Sequence, residues 1–193
     1  MTAATPDLGL TAGTWEFDMA HSEIMFSVRH LMTTVRGSFT RFTGRIEIAD
    51  DPLRSRAYAE IEMDSIETRN SERDAHIRSS EILDAANHPT MTFVTTGVSE
   101  GRRRRHAAQQ RHVVTGDLTI RGVTRPVELM TEYFGVSDDW GGARAGFTAT
   151  TTINRTDFGV EFNIPLGGDR ALLSEEIEIQ LEIQAIRAGD ADG

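Results

Sequence analysis

The sequence has no cysteine, and all 20 of its basic residues are arginine. The missing cysteine excludes disulfides and thiolate chemistry, and it leaves the redox compartment undetermined. No apolar run approaches the roughly 18 residues that a membrane-spanning helix needs. Residues 1–13 have neither the basic region nor the apolar stretch of a secretory signal. From these absences we expect a protein that has no membrane span and stays in the cytoplasm.

The chain is acidic, with a formal net charge of -10 over 193 residues and a pI of about 5.0. Such a charge repels nucleic acid, so no nucleic-acid partner is expected. Four consecutive arginines, Arg102 to Arg105, interrupt the acidic pattern. They lie in residues 99–112, which we predict to be a long solvated loop. A nucleic-acid or localisation role for this loop is the weaker alternative.

Apolar and polar residues alternate over most of the chain. Near the C-terminus every second residue is apolar and the others are glutamate or glutamine, which is typical of a strand with one buried face. The same alternation recurs in six further segments, and with residues 15–19 and 91–98 it predicts eight or nine strands. The buried faces carry Ile177, Ile179, Leu181 and Ile183; Ile24, Phe26, Val28 and His30; Phe42, Gly44, Ile46 and Ile48; Leu53, Ala57, Ala59, Ile61 and Met63; Val114, Gly116, Leu118 and Ile120; Val127, Leu129 and Tyr133; and Ala145, Phe147, Ala149, Thr151 and Ile153.

Many of the connections between these strands are short. Gly122-Val123 is predicted to be a two-residue hairpin turn with glycine in the first position. Sequential strands with tight turns favour an all-β meander that closes into an antiparallel barrel. A barrel of about eight strands encloses either its own side chains or one small ligand, and the alternation alone does not distinguish the two.

One segment breaks the alternation. Residues 71–87 read as helical, with a capping-box pattern over residues 71–74, a favourable pair between Asp74 and Arg78, and Pro89 as the stop. This helical insertion would cover one end of the barrel. We predict a single domain over residues 14–187, with a flexible N-terminal segment over residues 1–13 and a flexible tail over residues 188–193.

Several polar residues are candidates for chemistry. His21, His30, His76 and His88 do not have the spacing of a known metal site, so no metal is predicted. Arg73, Asp74 and His76 share one helical turn and would suit an acid–base pair, but such residues more often satisfy the helix ends. No nucleophile elbow, dinucleotide fingerprint or phosphate-binding loop is present, so we predict that the protein is not an enzyme.

Two further features concern the barrel wall and its turns. Arg155 and Asp157 would pair and pin a turn in which Gly159 supplies a special backbone angle, and a ligand-facing role for Arg155 is the alternative. The sequence has nine phenylalanines. Most of them fall on strands, where they suit either a solid core or the wall of an apolar pocket.

Five motifs in order resemble the bacterial YceI-like family, from about residue 14 to about residue 185. They consist of the opening Trp15, Asp18, His21 and Ser22 with Phe26 to His30 and Gly37 to Phe39; Ser65 to Thr68 with Arg73, Asp74 and His76; Pro89 with Phe93; the hairpin Val114 to Val127; and Ile153 to Gly159.

The resemblance implies a lipocalin-like eight-stranded antiparallel barrel with a short helical insertion. It implies binding of a polyisoprenoid lipid in the barrel cavity, either an isoprenoid quinone or a prenyl phosphate, with no other cofactor and no catalysis. It also implies that a homodimer is common. Many relatives are exported to the periplasm, whereas residues 1–13 show no signal. The usual connection corresponding to residues 99–112 is shorter.

The implied lipid-binding residues are of two kinds. Apolar wall positions would take the prenyl chain out of water, and a few polar groups at the mouth would recognise the headgroup. The net negative charge favours a neutral quinone over a diphosphate, unless a local arginine reverses that preference. Transport or storage of the lipid would be the role, and a partner-binding or structural barrel, or a hydrolase-like enzyme, are the alternatives. The wall candidates are Phe26, Val28, Phe42, Phe93, Leu118, Ile120, Leu129, Phe147 and Phe158, and the headgroup candidates are His21, His30, Arg73 and Arg155.

Overall fold

The computed structural model describes residues 9–101, 110–137, 142–166 and 171–189. Within these residues the chain forms eleven β-strands, one α-helix and four short 3-10 turns. The strands are β1 Gly13–Phe17, β2 Glu23–His30, β3 Thr33–Phe39, β4 Phe42–Ile48, β5 Arg56–Glu62, β6 Ile66–Glu67, β7 Thr90–Glu100, β8 Gln110–Ile120, β9 Val123–Ser137, β10 Arg144–Asn154 and β11 Leu173–Arg187. The helix α1 is Ser71–Arg78, and the 3-10 turns are Met19–His21, Pro52–Arg54, Met63–Ser65 and Arg155–Phe158.

The strands form one closed antiparallel barrel. Neighbours follow the order β1-β4-β5-β7-β8-β9-β10-β11, and β1 pairs with β11 to close the ring. Three of the eight barrel positions are each occupied by two consecutive strands joined at a bend: β1 with β2, β3 with β4, and β5 with β6. After the bends, β2 pairs with β11, β3 pairs with β2, and β6 pairs with β3. The eight-stranded antiparallel barrel predicted from the sequence is therefore confirmed, and the extra strands arise from bends.

The bend between β1 and β2 is built around Asp18. This carboxylate accepts the Ala20 N–H at 3.1 Å, lies 2.8 Å from His21 Nδ1 and pairs with Arg144 of β10. Burial opposes ionisation of Asp18, but these hydrogen bonds outweigh it and hold its pKa below the ordinary value. The opening motif thus fixes a bend in the first strand.

The connections between strands meet at two ends of the barrel. The end with the β4–β5, β7–β8 and β9–β10 connections and the start of β1 is called the open end. The end with the β2–β3, β6–β7, β8–β9 and β10–β11 connections is called the closed end. The distinction matters because the inward side chains pack differently in the two halves.

The inward side chains of the closed-end half form a packed core. Its fully buried members include Phe39, Phe42, Met63, Ile66, Ile120, Ile153 and Phe158. Three apolar side chains of the insertion between β6 and β7 pack against this core: Ile77, Leu83 and Ala85. The insertion therefore covers the closed end, which is the role expected for it.

The insertion is less helical than the sequence pattern predicts. The pattern predicts a helix over residues 71–87 that stops at Pro89, but α1 ends at Arg78 and turns follow it. Asp84 adopts a φ of 49°, a left-handed conformation that cannot continue a helix. The longer helix was wrong because the apolar residues after α1 cover the core from a series of turns.

The predicted contacts at the start of α1 were also wrong. The residue that caps the helix is Asn70, whose side chain accepts a backbone N–H of the first turn at 3.0 Å, and not the predicted box over residues 71–74. Asp74 binds Thr68 and not Arg78, which donates to a backbone carbonyl instead. The carboxylate is drawn to Thr68 because two donors of that residue face it.

The β8–β9 hairpin turns one residue earlier than predicted. The turn residues are Arg121 and Gly122, both with positive φ (52° and 73°), and Val123 already belongs to β9. Two positive φ angles are the signature of a type I′ turn, which places glycine second. The Arg121 side chain donates to the carbonyls of Ile82 and Gly159 at 2.9 and 2.8 Å, and so ties together three connections of the closed end.

The connection between β7 and β8 is shorter than the predicted loop over residues 99–112. Ser99 and Glu100 belong to β7 and pair with Val113 and His112 of β8. Residues 102–109, which include Arg102 to Arg105, lie outside the described residues. The solvated loop, its weaker nucleic-acid or localisation role, and the absence of a nucleic-acid partner therefore stay predictions.

The two predicted flexible ends are partly described. Residues 1–8 and 190–193 lie outside the described residues. Leu10 packs against a small buried cluster centred on Trp15, whose indole N–H donates to the Thr11 carbonyl at 3.0 Å. At the other end, Ala188 donates to the Thr14 carbonyl at 2.8 Å. The described part of each end is thus held against the barrel.

Candidate functional site

The open-end half of the barrel is hollow. It contains a cavity of about 550 Å³ whose lining draws on β1, β2, β4, β5 and β7 to β11. The side chains that face it are mainly apolar, and they include Ile46, Val114, Leu129, Phe147 and Leu181. Four of these inward side chains, Val114, Leu129, Phe147 and Leu181, are only half-buried, because they face this space.

Small residues and glycines explain why this half is not filled. Ala57, Ala59 and Ala149 are inward residues of the cavity wall. A Cβ atom at Gly44 would lie 2.3 Å from the ring of Phe17, and one at Gly116 would lie 2.3 Å from the ring of Phe93. Each ring occupies the space that the missing side chain leaves on a neighbouring strand. The rings therefore lie along the wall and leave the centre open.

The cavity ends where the packed core begins. Its lowest lining residues include Ile24, Ile61, Met91 and Leu118, all of which also belong to the core. The core residues beneath them are at most 9 % exposed and do not line the cavity. Within the described residues, the cavity is thus a blind pocket that opens at one end.

Polar side chains surround the opening. Asp50, Ser55 and Arg56 line the cavity at the β4–β5 connection, and His112 of β8 pairs across the sheet with Thr131 of β9, which also lines it. Burial lowers the pKa of His112 below its ordinary value, although the charge of the facing Glu100 opposes this effect. His112 is therefore neutral at pH 7, when one ring nitrogen donates a hydrogen bond and the other accepts one.

The structure divides the predicted apolar wall residues into two groups. Phe93, Leu118, Leu129 and Phe147 line the cavity. Phe42, Ile120 and Phe158 belong to the packed core below it, and Phe26 packs against that core with its ring over Gly37. Val28 lies on β2 towards the closed end and does not line the cavity.

Of the predicted headgroup residues, Arg73 forms part of a clasp around Thr68 at the closed end. Asp74 accepts the Thr68 N–H at 2.9 Å and also its hydroxyl. Arg73 donates through Nε to the Thr68 hydroxyl oxygen at 2.7 Å and through Nη2 to the Thr68 carbonyl at 2.6 Å. The Asp74 carboxylate and the Arg73 guanidinium together thus engage all three polar groups of Thr68. The central motif therefore fixes the start of the insertion.

Arg155 is enclosed in a similar way. It is 5 % exposed, and its guanidinium donates to the carbonyls of Ser174 and Val160 at 2.9 and 2.6 Å. The predicted pair with Asp157 is wrong, because the backbone carbonyls take the guanidinium instead. Burial lowers the pKa of Arg155, partly offset by the charge of Glu175. Gly159 has the positive φ, 72°, that was predicted for it.

The remaining two headgroup candidates also lie away from the cavity opening. His21 is exposed on the outside of the barrel beside Asp18. His30 ends β2 next to the β2–β3 turn at the closed end. All four candidates thus lie away from the opening, where His112 and Thr131 stand instead.

The sequence pattern contains a signal for the residues at the opening. His112 is in phase with Val114, Gly116 and Leu118 on β8, and Thr131 is in phase with Leu129 on β9. Extending the period-two pattern by one step on each strand would have identified both residues. The headgroup candidates were instead taken from the polar motifs, because a sequence does not show that motif residues such as Arg73 and Arg155 bind backbone groups.

The residues of the predicted acid–base alternative do not converge. Asp74 is directed at Thr68, whereas His76 Nε2 lies 2.8 Å from Glu81 and its ring makes an edge contact with Phe162. Among the described residues there is no cluster of three or more histidine, aspartate or glutamate side chains that would hold a metal ion. No helix in the described residues is long and apolar enough to cross a bilayer; α1 has only eight residues.

A second, wider concavity of about 2030 Å³ crosses the outer face of β2, β3, β9, β10 and β11. Its lining combines outward polar residues, among them Ser27, Thr150 and Gln180, with buried core residues such as Phe39 and Phe42. Two of the headgroup candidates, His21 and Arg73, line this concavity and not the barrel cavity.

Comparisons with known proteins agree with this architecture. The YceI-like domain family matches residues 15–185. A UPF0312 protein of Ectopseudomonas mendocina is 35% identical over 170 residues, covering 86% of this chain and 83% of that protein. The crystal structure of Burkholderia cenocepacia BcnA has a TM-score of 0.72 at 19% identity and covers 87% of this chain and 98% of its own. A polyisoprenoid-binding domain from Saccharophagus degradans, implicated in plant cell wall breakdown, has a TM-score of 0.68 at 13% identity, with 92% and 99% covered.

Proposed function

This chain belongs to the YceI-like family, and from that premise we propose that it binds the prenyl chain of a polyisoprenoid lipid in the open-end cavity. The lipid is an isoprenoid quinone or a prenyl phosphate, and the protein carries or stores it. The single observation that supports this most strongly is the blind apolar cavity of about 550 Å³. Its volume lies in the range of known ligand sites.

The physical driving force is the removal of apolar chain from water. Each methylene that enters an apolar pocket contributes about 0.8 kcal/mol. Leu129, Phe147 and Leu181 supply contacts without directional demands, which suits a flexible hydrocarbon. A structural or partner-binding barrel would gain more stability from filling this space with its own side chains, because empty volume forfeits packing contacts.

Headgroup recognition in this proposal takes place at the opening. The neutral imidazole of His112 and the hydroxyl of Thr131 suit a carbonyl or hydroxyl group, while Arg56 of β5 adds a cation to the lining. Asp50 of the same lining disfavours a second negative charge nearby. The described residues of the opening thus favour a neutral quinone over a prenyl phosphate.

Binding rather than catalysis is the function that the arrangement supports. Arg73 and Asp74 are committed to Thr68, and His76 faces Glu81 outside the cavity. General acid–base chemistry needs its groups within hydrogen-bond reach of one substrate. A hydrolase-like reaction by these three residues would require the closed end to open.

The test is purification under native conditions followed by organic extraction and mass spectrometry of any lipid. The matched variants are Ala149→Trp, which fills the cavity from β10, and Thr150→Trp, which adds the same ring to the outside one residue later. We expect a stoichiometric polyisoprenoid from the wild type and Thr150→Trp, and little from Ala149→Trp. The mass identifies the headgroup.

The proposal fails if the wild type yields no lipid and also does not take up prenyl quinones or prenyl phosphates offered in vitro. That result would favour the partner-binding alternative. A loss of lipid from Thr150→Trp but not from Ala149→Trp would place the lipid in the outer concavity, which Thr150 lines. A circular dichroism melt of each variant shows that a loss of lipid does not reflect unfolding.

A further inference from the structure

We propose that the cavity accepts only about 15 to 20 carbons of hydrocarbon chain, so that the preferred ligand carries three or four isoprene units, and that Met91 and Ala59 set this limit. The inference rests on the proposed function. It departs from the long-chain ligand expected from the family, because a chain of that kind would leave most of its length outside the barrel.

The depth of the cavity gives the first estimate. On β8 the lining runs from His112 at the opening to Leu118 at the floor, a distance of six residues. A strand rises about 3.3 Å per residue and tilts by about 40° in a barrel, so the depth is about 15 Å. An extended covalent chain advances about 1.2 Å per bond. Four chain bonds per isoprene unit then give about 5 Å, and three units reach the floor.

The volume gives an independent estimate. A cavity of about 150 Å³ in a protein core accommodates benzene, which corresponds to about 25 Å³ per carbon atom. By this measure, the 550 Å³ of the open-end cavity accommodate about 20 carbons, or four isoprene units. Depth and volume therefore agree to within one unit.

The floor is the feature that limits the chain. Met91 and Ile61 pair across β7 and β5, and the next inward pair towards the opening is Phe93 with Ala59. All four line the cavity. Beneath Met91 lie packed core residues, including Phe42, with no contact to the cavity. A chain that reaches Met91 thus meets closely packed side chains, since Phe42 is 4 % and Met63 2 % exposed.

Two substitutions change the depth in opposite directions. Met91→Ala removes three heavy atoms from the floor, and Ala59→Leu adds three heavy atoms just above it. Met63→Ala is the matched control, because Met63 is 2 % exposed in the packed core and does not line the cavity. It loses the same atoms and a comparable amount of stability without changing the cavity wall.

The experiment measures the affinity of purified, delipidated protein for 1-alkanols of increasing length, delivered from cyclodextrin. In the wild type we expect affinity to rise about fourfold per methylene and then level off at about 15 to 20 carbons. The limit should move about three carbons longer in Met91→Ala and about three carbons shorter in Ala59→Leu. It should not move in Met63→Ala. Prenyl alcohols of three and eight units should bind with similar affinity.

Two results overturn the inference. One is an affinity that keeps rising well beyond 20 carbons, with the eight-unit alcohol far tighter than the three-unit alcohol. The other is a limit that stays in place in Ala59→Leu, which remains informative even if Met91→Ala does not fold. A wild type that binds neither alkanols nor prenyl alcohols contradicts the proposed function instead, so the two failures are distinguishable.

Discussion

Replacing Asp74 with alanine tests whether the central motif of the sequence is structural. Asp74 is 7 % exposed, and its carboxylate accepts hydrogen bonds from the Thr68 N–H and hydroxyl. Alanine leaves both donors buried without a partner. The Arg73 side chain, which donates to the Thr68 hydroxyl and carbonyl, cannot replace the lost acceptor, because a guanidinium only donates.

The expected loss is large for a single substitution. A hydrogen bond to a charged group contributes about 1.5 to 3 kcal/mol, and two such bonds are lost. We therefore expect the free energy of unfolding to fall by about 3 to 5 kcal/mol, which lowers Tm by about 6 to 20 °C in a domain of this size. Asp74→Asn retains an acceptor oxygen, so its loss should be about half as large.

Urea unfolding followed by circular dichroism measures this effect, and an unchanged m-value shows that the same two states are compared. Glu72→Ala is the control, because Glu72 is an exposed acidic residue on the same turn of α1. Its effect should stay within about 1 kcal/mol. A variant Asp74→Ala with wild-type stability would refute the structural interpretation, and the added loss of lipid binding would make Asp74 a functional residue.

Two further predictions concern the closed end and the opening. In Arg155→Lys the two hydrogen bonds to backbone carbonyls cannot both be kept, because the ammonium lacks the guanidinium fork; unfolding in urea should show a loss of about 2 to 4 kcal/mol, and a loss below 1 kcal/mol would contradict this. The pKa of His112 in the folded state lies below its ordinary value near 6.5, so the unfolded chain binds more protons than the folded chain as pH falls. The stability that neutral His112 allows above pH 6.5 is therefore lost as pH falls below that value. The drop in stability between about pH 7.5 and pH 5 should be smaller in His112→Gln, and equal drops would show that His112 does not contribute.

The barrel itself was predictable because its signal repeats. Alternation on β11 places Ile179, Leu181 and Ile183 inside and glutamate or glutamine outside, and seven other barrel positions carry the same information. Errors in single elements do not change such a result. The bends were not predicted. The two halves on either side of Asp18 read as separate strands, because alternation resumes after the bend, and β3, which precedes the bend near Phe39, was not predicted as a strand.

The limits of the short elements were less predictable. Helical propensity continues past Arg78, but Leu83 and Ala85 pack against the core, and Asp84, which lies between them, adopts a left-handed conformation that a helix does not allow. Tertiary packing therefore decides the end of α1. In the β8–β9 hairpin, the position of Gly122 in the turn depends on pairing register, which the local sequence does not specify.

The cavity could not be located from the sequence for a different reason. Phe42 and Phe93 occur in equivalent alternating patterns, yet the first is packed in the core and the second lines the cavity. What separates them is the residue opposite each ring, such as Gly116 beside Phe93, and that pairing depends on the stagger of the closed barrel. Side-chain type alone therefore predicts an apolar interior but not which half of it is empty.

The polar residues of the central and late motifs, Asp74 and Arg155 among them, lie at the closed end, away from the cavity that carries the proposed function. An empty half forfeits packing, and the remaining half has to supply the missing stability. The Asp74 clasp and the buried Arg155 do this at the closed end, where each polar group meets a backbone or hydroxyl partner. His112 and Met91 line the cavity instead. The polar motif residues therefore hold the scaffold, while in the proposed function ligand specificity depends on the inward residues of β5, β7 and β8.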